Sequence, residues 1–253
     1  MNELSLGYDL LLLLFVTGML AGGLDAVAGG GGLLTLPVLL AVGLGPAEAL
    51  ATNKLQGSFG TFSSSLYFVR HGLVDPRDIL LPIALTFAGS AVGTLLVQHL
   101  ESDFLTRTMP IFLIMTALYF WFGPSIREEE RKQRIGQGMF ALTVGFAIGF
   151  YDGFFGPGAG TFFTLGFVTL LGFSLVRATA HTKILNFTSN IASLVFFAAG
   201  GQVVWELGLV MAAGQLIGGR IGAHQVQRRG TRLIRPIIVC VCILISLKLL
   251  FAR

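Results

Sequence analysis

Residues 18–37 read GMLAGGLDAVAGGGGLLTLP, and residues 145–164 read GFAIGFYDGFFGPGAGTFFT. Each stretch sets one aspartate among apolar residues with glycines at matching steps. Gly18, Gly22, Asp25 and Gly29 recur as Gly145, Gly149, Asp152 and Gly156, at the constant offset 152 − 25 = 127. Lys54 and Lys183 repeat at nearly the same offset, 183 − 54 = 129, and are two of only four lysines in the chain. A charge in hydrocarbon costs roughly 2.5–3.5 kcal/mol even on a lenient scale, so a chain that installs the same acid and base twice is using them. Duplicated halves with matched intramembrane charges read as a transporter.

Composition agrees: 54% hydrophobic and 12% charged residues, with mean hydropathy +0.79, leave too little polar surface to cover a soluble globule. The reading is an all-α polytopic membrane protein. A net charge of +4 does not indicate a nucleic-acid partner, because most arginines fall between apolar stretches, where they report topology. The first basic residue is Lys54, so residues 1–24 lack the charged flank of a cleavable signal and are expected to stay as a span. Cys240 and Cys242 lie in an apolar run and read as core filler, with neither a metal site nor a cofactor expected.

Apolar runs fall at 5–28, 31–43, 47–69, 78–99 and 105–123, then at 136–153, 157–172, 178–200, 203–223 and 233–251. Each half thus has five segments, and the second is too short for a full span of about 20 residues, which predicts a broken or partial helix. If every segment crosses, one side collects Arg70, Arg77, Arg127, Arg131, Lys132, Arg134, Arg177, Arg228, Arg229, Arg232 and Arg235, and the other keeps Arg107, Lys248 and Arg253. That asymmetry favours an odd number of crossings per half. The expected fold is two inverted repeats, 1–123 and 136–253, joined by a charged cytoplasmic linker at 124–135, with both termini periplasmic in a bacterial inner membrane. A homodimer is a further expectation.

The glycine runs Gly29–Gly32 and Gly156–Gly160 cannot hold a straight helix, and unwound backbone at membrane depth must be buried in protein or line a wet cavity. The free N–H groups of Gly31 and Gly158 at the start of the following half-helices suit an anion; a plain hinge is the alternative. In the third segments Lys54, Ser58, Thr61 and Ser65, and Lys183, Asn186, Asn190 and Ser193, share one helical face. With Thr52, Asn53, Gln56, His181 and Thr182 they supply charge and hydrogen bonds for a small oxyanion, against the alternative of snorkelling lysines with polar residues gluing helices. Asp25 and Asp152 are candidates to pass protons, to hold sodium or to bridge to the lysines. Arg177 and Glu48 read as structural.

GGGGLLTLP (Gly29–Pro37), ATNKLQGSFG (Ala51–Gly60), FYDGFFGPGAGTFF (Phe150–Phe163) and HTKILNFTSN (His181–Asn190) resemble the TauE/SafE family of sulfite and organosulfonate exporters over essentially the whole chain. The resemblance implies export of a small sulfur oxyanion or sulfonate. GPGAG in place of GGGG, and Asn186 opposite Gly57, imply half-sites that are not chemically equal. No nucleotide cradle is present, so an ion gradient or the anion's own gradient would drive export, with a passive anion channel as the variant. Two membrane aspartates also admit an intramembrane aspartyl protease, which leaves the lysines unexplained; a structural or chaperone-like partner leaves all four charges idle.

Overall fold

A computed structural model describes residues 7–122 and 132–229, and every regular element among them is helical. The helices are α1 (Tyr8–Ala28), α2 (Gly31–Ala41), α3 (Pro46–Arg70), α4 (Leu80–Gln98), α5 (Ser102–Phe122), α6 (Gln137–Phe140), α7 (Phe146–Phe154), α8 (Ala159–Leu170), α9 (Leu175–Ala199) and α10 (Trp205–Arg229). A wide π turn, Ala141–Gly145, joins α6 to α7 as one continuous helix. The expected segments return with shifted ends. The largest shift is in α10, which runs six residues past the apolar stretch because HQVQRR continues the helix with a polar face. The linker up to Arg131, the segment 233–251, both cysteines and both termini lie outside the described residues.

Local chemistry explains the breaks. α1 stops where Gly29 turns left-handed (φ +73°) and donates its N–H to the Asp25 carbonyl at 2.8 Å. α3 starts on Pro46, with the Glu48 carboxylate accepting the Gly45 N–H at 3.0 Å, as a first-turn acid should. α2 has 11 residues and α8 has 12, each well short of a span.

The molecule is polar inside. Thr52, Asn53, Lys54, Gln56, Ser58, Thr61, Ser64 and Ser65 of α3 are buried, while Leu12, Leu20, Leu81, Val92, Leu96 and Ile217 point outward. Both Lys54 and Lys183 are among the largest fully buried side chains. The described helices that are long and apolar enough to cross a bilayer by composition are Tyr8–Ala28 and Pro76–Gln98; α3, α9 and α10 carry inward polar residues that dilute the signal.

The halves exchange their fourth helices. α10 packs on α1 and α3, and α4 packs on α7 and α9. Glycine allows the approach: a methyl group on Gly22 would stand 2.7 Å from the Gln215 carbonyl oxygen, and one on Gly149 2.6 Å from that of Thr86. These contacts correct the register read from sequence. Gly18 sits on Met211 and Gly22 on Gln215, whereas Gly149 sits on Thr86 and Gly153 on Ser90. With α4 and α10 aligned through Gly89/Gly214 and Gly93/Gly218, the packing offset is therefore 149 − 18 = 131, one turn away from 127. The helix end fixes the aspartate, four residues before a left-handed glycine in each half (Gly29, Gly156), but the second half ends its helix earlier along its partner.

Candidate functional site

Two chain breaks meet at the centre. Gly29 lies against Gly160, where a methyl group on either would stand 2.5 Å from the other's Cα, and the Thr161 hydroxyl donates to the Ala28 carbonyl. Gly156 (φ +100°) and Gly158 (φ +84°) make the second break, a conformation that side chains other than glycine resist. The N-termini of α2 and α8 therefore open beside one another, and the Gly31 N–H reaches Asp25 Oδ1 at 3.4 Å.

The ion pairs are crossed. Lys54 of the first half bonds Asp152 of the second at 2.6 Å, and Lys183 of the second bonds the Asp25 carboxylate of the first at 3.1 Å and also its carbonyl. Both lysines are 1% exposed. Each ammonium thus stands on the third helix of one half and is held by the first helix of the other.

A cavity of about 30 Å³ lies between the pairs. Asp25 and Asp152, the amides Asn53, Asn186, Asn190 and Gln215, and both glycine breaks, including Gly31 and Gly158, line it. It has room for about two waters. The amides are held in place. Asn53 Oδ1 accepts from the Thr35 hydroxyl (2.6 Å) and from Gln56 Nε2 (3.0 Å), which leaves its NH₂ to the cavity. Gln56 Oε1 in turn accepts from Gln215 at 3.1 Å. Asn186 Oδ1 is buried and has no hydrogen-bond partner among the described residues.

Other sequence candidates support the site without facing the cavity. Thr52 accepts the Val204 N–H at 3.1 Å, Ser58 donates to the Lys54 carbonyl at 2.7 Å, and Thr182 accepts from the Thr164 hydroxyl at 3.1 Å. His181 is bonded through Nδ1 to the Arg177 carbonyl at 2.8 Å and packs between Phe167 and Phe173. Gln215 is the lining residue that the sequence reading passed over. Its signal was a lone amide inside the apolar stretch 203–223, flanked by the glycines that drew attention to packing.

Inward polar faces, paired intramembrane charges and two half-helices meeting end to end belong to a membrane transporter. A family model described as "Sulfite exporter TauE/SafE" matches residues 14–249. The chain is 51% identical over 251 residues to the probable membrane transporter protein YfcA of Escherichia coli (strain K12), covering 99% of this chain and 93% of that one. It is 46% identical over 248 residues to a probable membrane transporter protein of Haemophilus influenzae, covering 98% and 97%. It is 24% identical over 265 residues to the probable membrane transporter protein YunE of Bacillus subtilis, covering 95% and 97%. No solved structure is significantly similar. The chain belongs to the TauE/SafE family.

Proposed function

We propose that this transporter exports a small anion, sulfite or an organosulfonate, across the inner membrane, and that Lys54 and Lys183 hold it. The crossed lysine–aspartate pairs beside the central cavity carry the reading. An oxyanion reaching an ammonium makes the same kind of charge-assisted hydrogen bond as the carboxylate it replaces, so the exchange forfeits little. The displaced aspartate would then be a buried, unpaired charge, which costs several kcal/mol, and taking up a proton relieves it. Anion and proton occupancy are linked in this way, and ion gradients drive the cycle. The amides and the N-termini of α2 and α8 add donors for the remaining oxygens.

The reading takes the halves 1–123 and 136–253 as inverted repeats. Supporting it, α3 and α9 cross antiparallel, with Gly57 near Asn190 and Phe62 against Phe187, and the fourth helices are exchanged reciprocally. α2 folds back beside α1, with Gly31 against Ala21, and a pair that adds an even number of crossings is compatible with odd parity. Tyr67 near the end of α3 bonds Gln227 near the end of α10, which sets Arg70 and Arg228 on one side. Reporter fusions at Arg253 and Glu129 test the orientation: a cytoplasmic C-terminus defeats it.

The cargo test is binding to purified protein of sulfite, sulfoacetate, taurine, isethionate, sulfolactate, sulfate and simple carboxylates. A true ligand at 100 times its Kd stabilises by about 2.7 kcal/mol. Flux of that ligand in proteoliposomes at imposed pH and potential follows. Carboxylates alone binding, with no sulfur oxyanion among the ligands, overturns the cargo class.

A further inference from the structure

A second cavity, about 810 Å³, opens between the ends of α3 and α10, lined by Tyr67, His71, Arg220, Ile221, His224, Gln227 and Arg228. Among the described residues its lining contains no carboxylate. The hydrogen bonds set its polarity. The Tyr67 hydroxyl donates to Gln227 Oε1 at 2.5 Å, which spends its only proton, so His224 Nδ1, 2.9 Å away, is the donor in their contact. His71 donates through Nδ1 to the Tyr67 carbonyl at 2.8 Å and stacks on the Tyr67 ring at 4.0 Å. Both imidazoles are thus engaged through Nδ1, and among the described residues the Gln227 NH₂ has no partner.

The arginines are the stronger evidence. Among the described residues neither Arg220 nor Arg228 has an ion pair. Arg228 stands at the end of α10, where a cation balances the helix dipole. Arg220 stands nine residues before that end, about 13 Å down the axis, too far for the same explanation. Its neighbours Ile217 and Ile221 are 46% and 60% exposed, so it shares the outward side of α10. On a membrane helix a guanidinium with no ion pair among the described residues is costly unless an anion meets it. Two arginines and a donor amide around one cleft match a tetrahedral oxyanion, and basic pockets between membrane helices are where phosphate headgroups bind.

We infer that the α3–α10 cleft is a second anion site, separate from the cargo cavity, which binds a phosphate group, supplied either by an anionic phospholipid or as a free ion. The inference does not depend on which anion is exported.

The test uses delipidated full-length protein in neutral detergent, titrated with phosphatidylglycerol, with phosphatidylcholine and with inorganic phosphate, and read by native mass spectrometry and thermal unfolding. Phosphatidylglycerol is expected to be retained and to raise Tm, and phosphatidylcholine to do neither. The double variant R220Q/R228Q is expected to lose roughly 25-fold in that affinity, about tenfold or less per arginine. Displacement of phosphatidylglycerol by inorganic phosphate supports the same chemistry with a soluble source, and retention against phosphate assigns the lipid. Equal binding of the two lipids with no effect of phosphate overturns the site in the wild type alone, whether or not the variant folds; a folded variant with wild-type affinity also overturns it.

Discussion

The Lys54–Asp152 and Lys183–Asp25 pairs use the same groups in unlike surroundings. Lys54 and Asp152 are 2.6 Å apart, and the aspartate side chain is 6% exposed; Lys183 and Asp25 are 3.1 Å apart, and that carboxylate is 17% exposed and also takes the Gly31 N–H. The difference follows from the one-turn shift between aspartate and packing register, because Asp152 sits deeper along the contact of α7 with α4 than Asp25 does on α1 with α10. A duplicated motif thus becomes a tight half-site and a looser one, and the looser one should release its lysine first.

The largest effect should come from breaking the tight pair. Lys54→Ala leaves Asp152 buried and uncompensated, with an expected loss of about 3–5 kcal/mol, while Lys54→Ala with Asp152→Ala should recover much of it. Lys183→Ala should cost less, since Asp25 keeps more solvent and its Gly31 contact. Unfolding of the purified variants gives the order, and a Lys183→Ala loss equal to or above that of Lys54→Ala breaks the comparison. Anion binding is expected to fail in both. Lys→Arg should be only partly tolerated at either position, because the guanidinium is larger and planar.

Next in size is the response of transport to protons. Asp→Asn keeps shape and hydrogen bonding but removes titration. Asp25→Asn, at the looser half-site, should flatten the pH dependence of flux more than Asp152→Asn. Proteoliposome flux across a pH series measures this, and unchanged profiles in both variants would make the aspartates structural.

Segment positions among the described residues, the short second helices and the four matched charges were legible because hydropathy and glycine runs are local signals. Three features were not. The crossed pairing of Lys54 with Asp152 is tertiary, since each partner lies in the other half and no spacing encodes it. The register shift was hidden because matching Asp25 to Asp152 aligns helix ends, whereas packing aligns glycines against α4 and α10. The polar end of α10 was cut short because HQVQRR reads as loop by hydropathy, although its side chains build the α3–α10 cleft.

A smaller effect separates strain from contact at the glycine breaks. Gly29 and Gly43 both have positive φ, +73° and +102°, but only Gly29 has backbone against it. Gly43→Ala should cost about 1 kcal/mol, from the left-handed conformation alone. Gly29→Ala should cost more, because its methyl group would meet the Gly160 backbone, and should impair flux if the two breaks separate in the proposed cycle. Equal losses in Tm would mean that the meeting of Gly29 with Gly160 is not a tight contact.

The smallest change in stability is expected at Asn186, which stands in the second half where the first has Gly57, lies against Gly160, and so marks the chemical inequality of the halves. Its Oδ1 has no partner, so Asn186→Ala breaks no strong acceptor bond and should cost under about 1 kcal/mol. Its position on the cavity wall gives it a different value to cargo. An amide that hydrogen-bonds an oxyanion contributes about 1.5–3 kcal/mol, or roughly 10- to 150-fold in affinity, and that loss should appear while Tm hardly moves. Asn190 lines the same cavity but already spends Nδ2 on the Thr61 hydroxyl at 3.5 Å, so Asn190→Ala should shift affinity less. Equal affinity losses at the two positions would mean that the Asn190 bond to Thr61 does not distinguish them, and a large fall in Tm for Asn186→Ala would place its role in holding α9 against the break rather than in binding an anion.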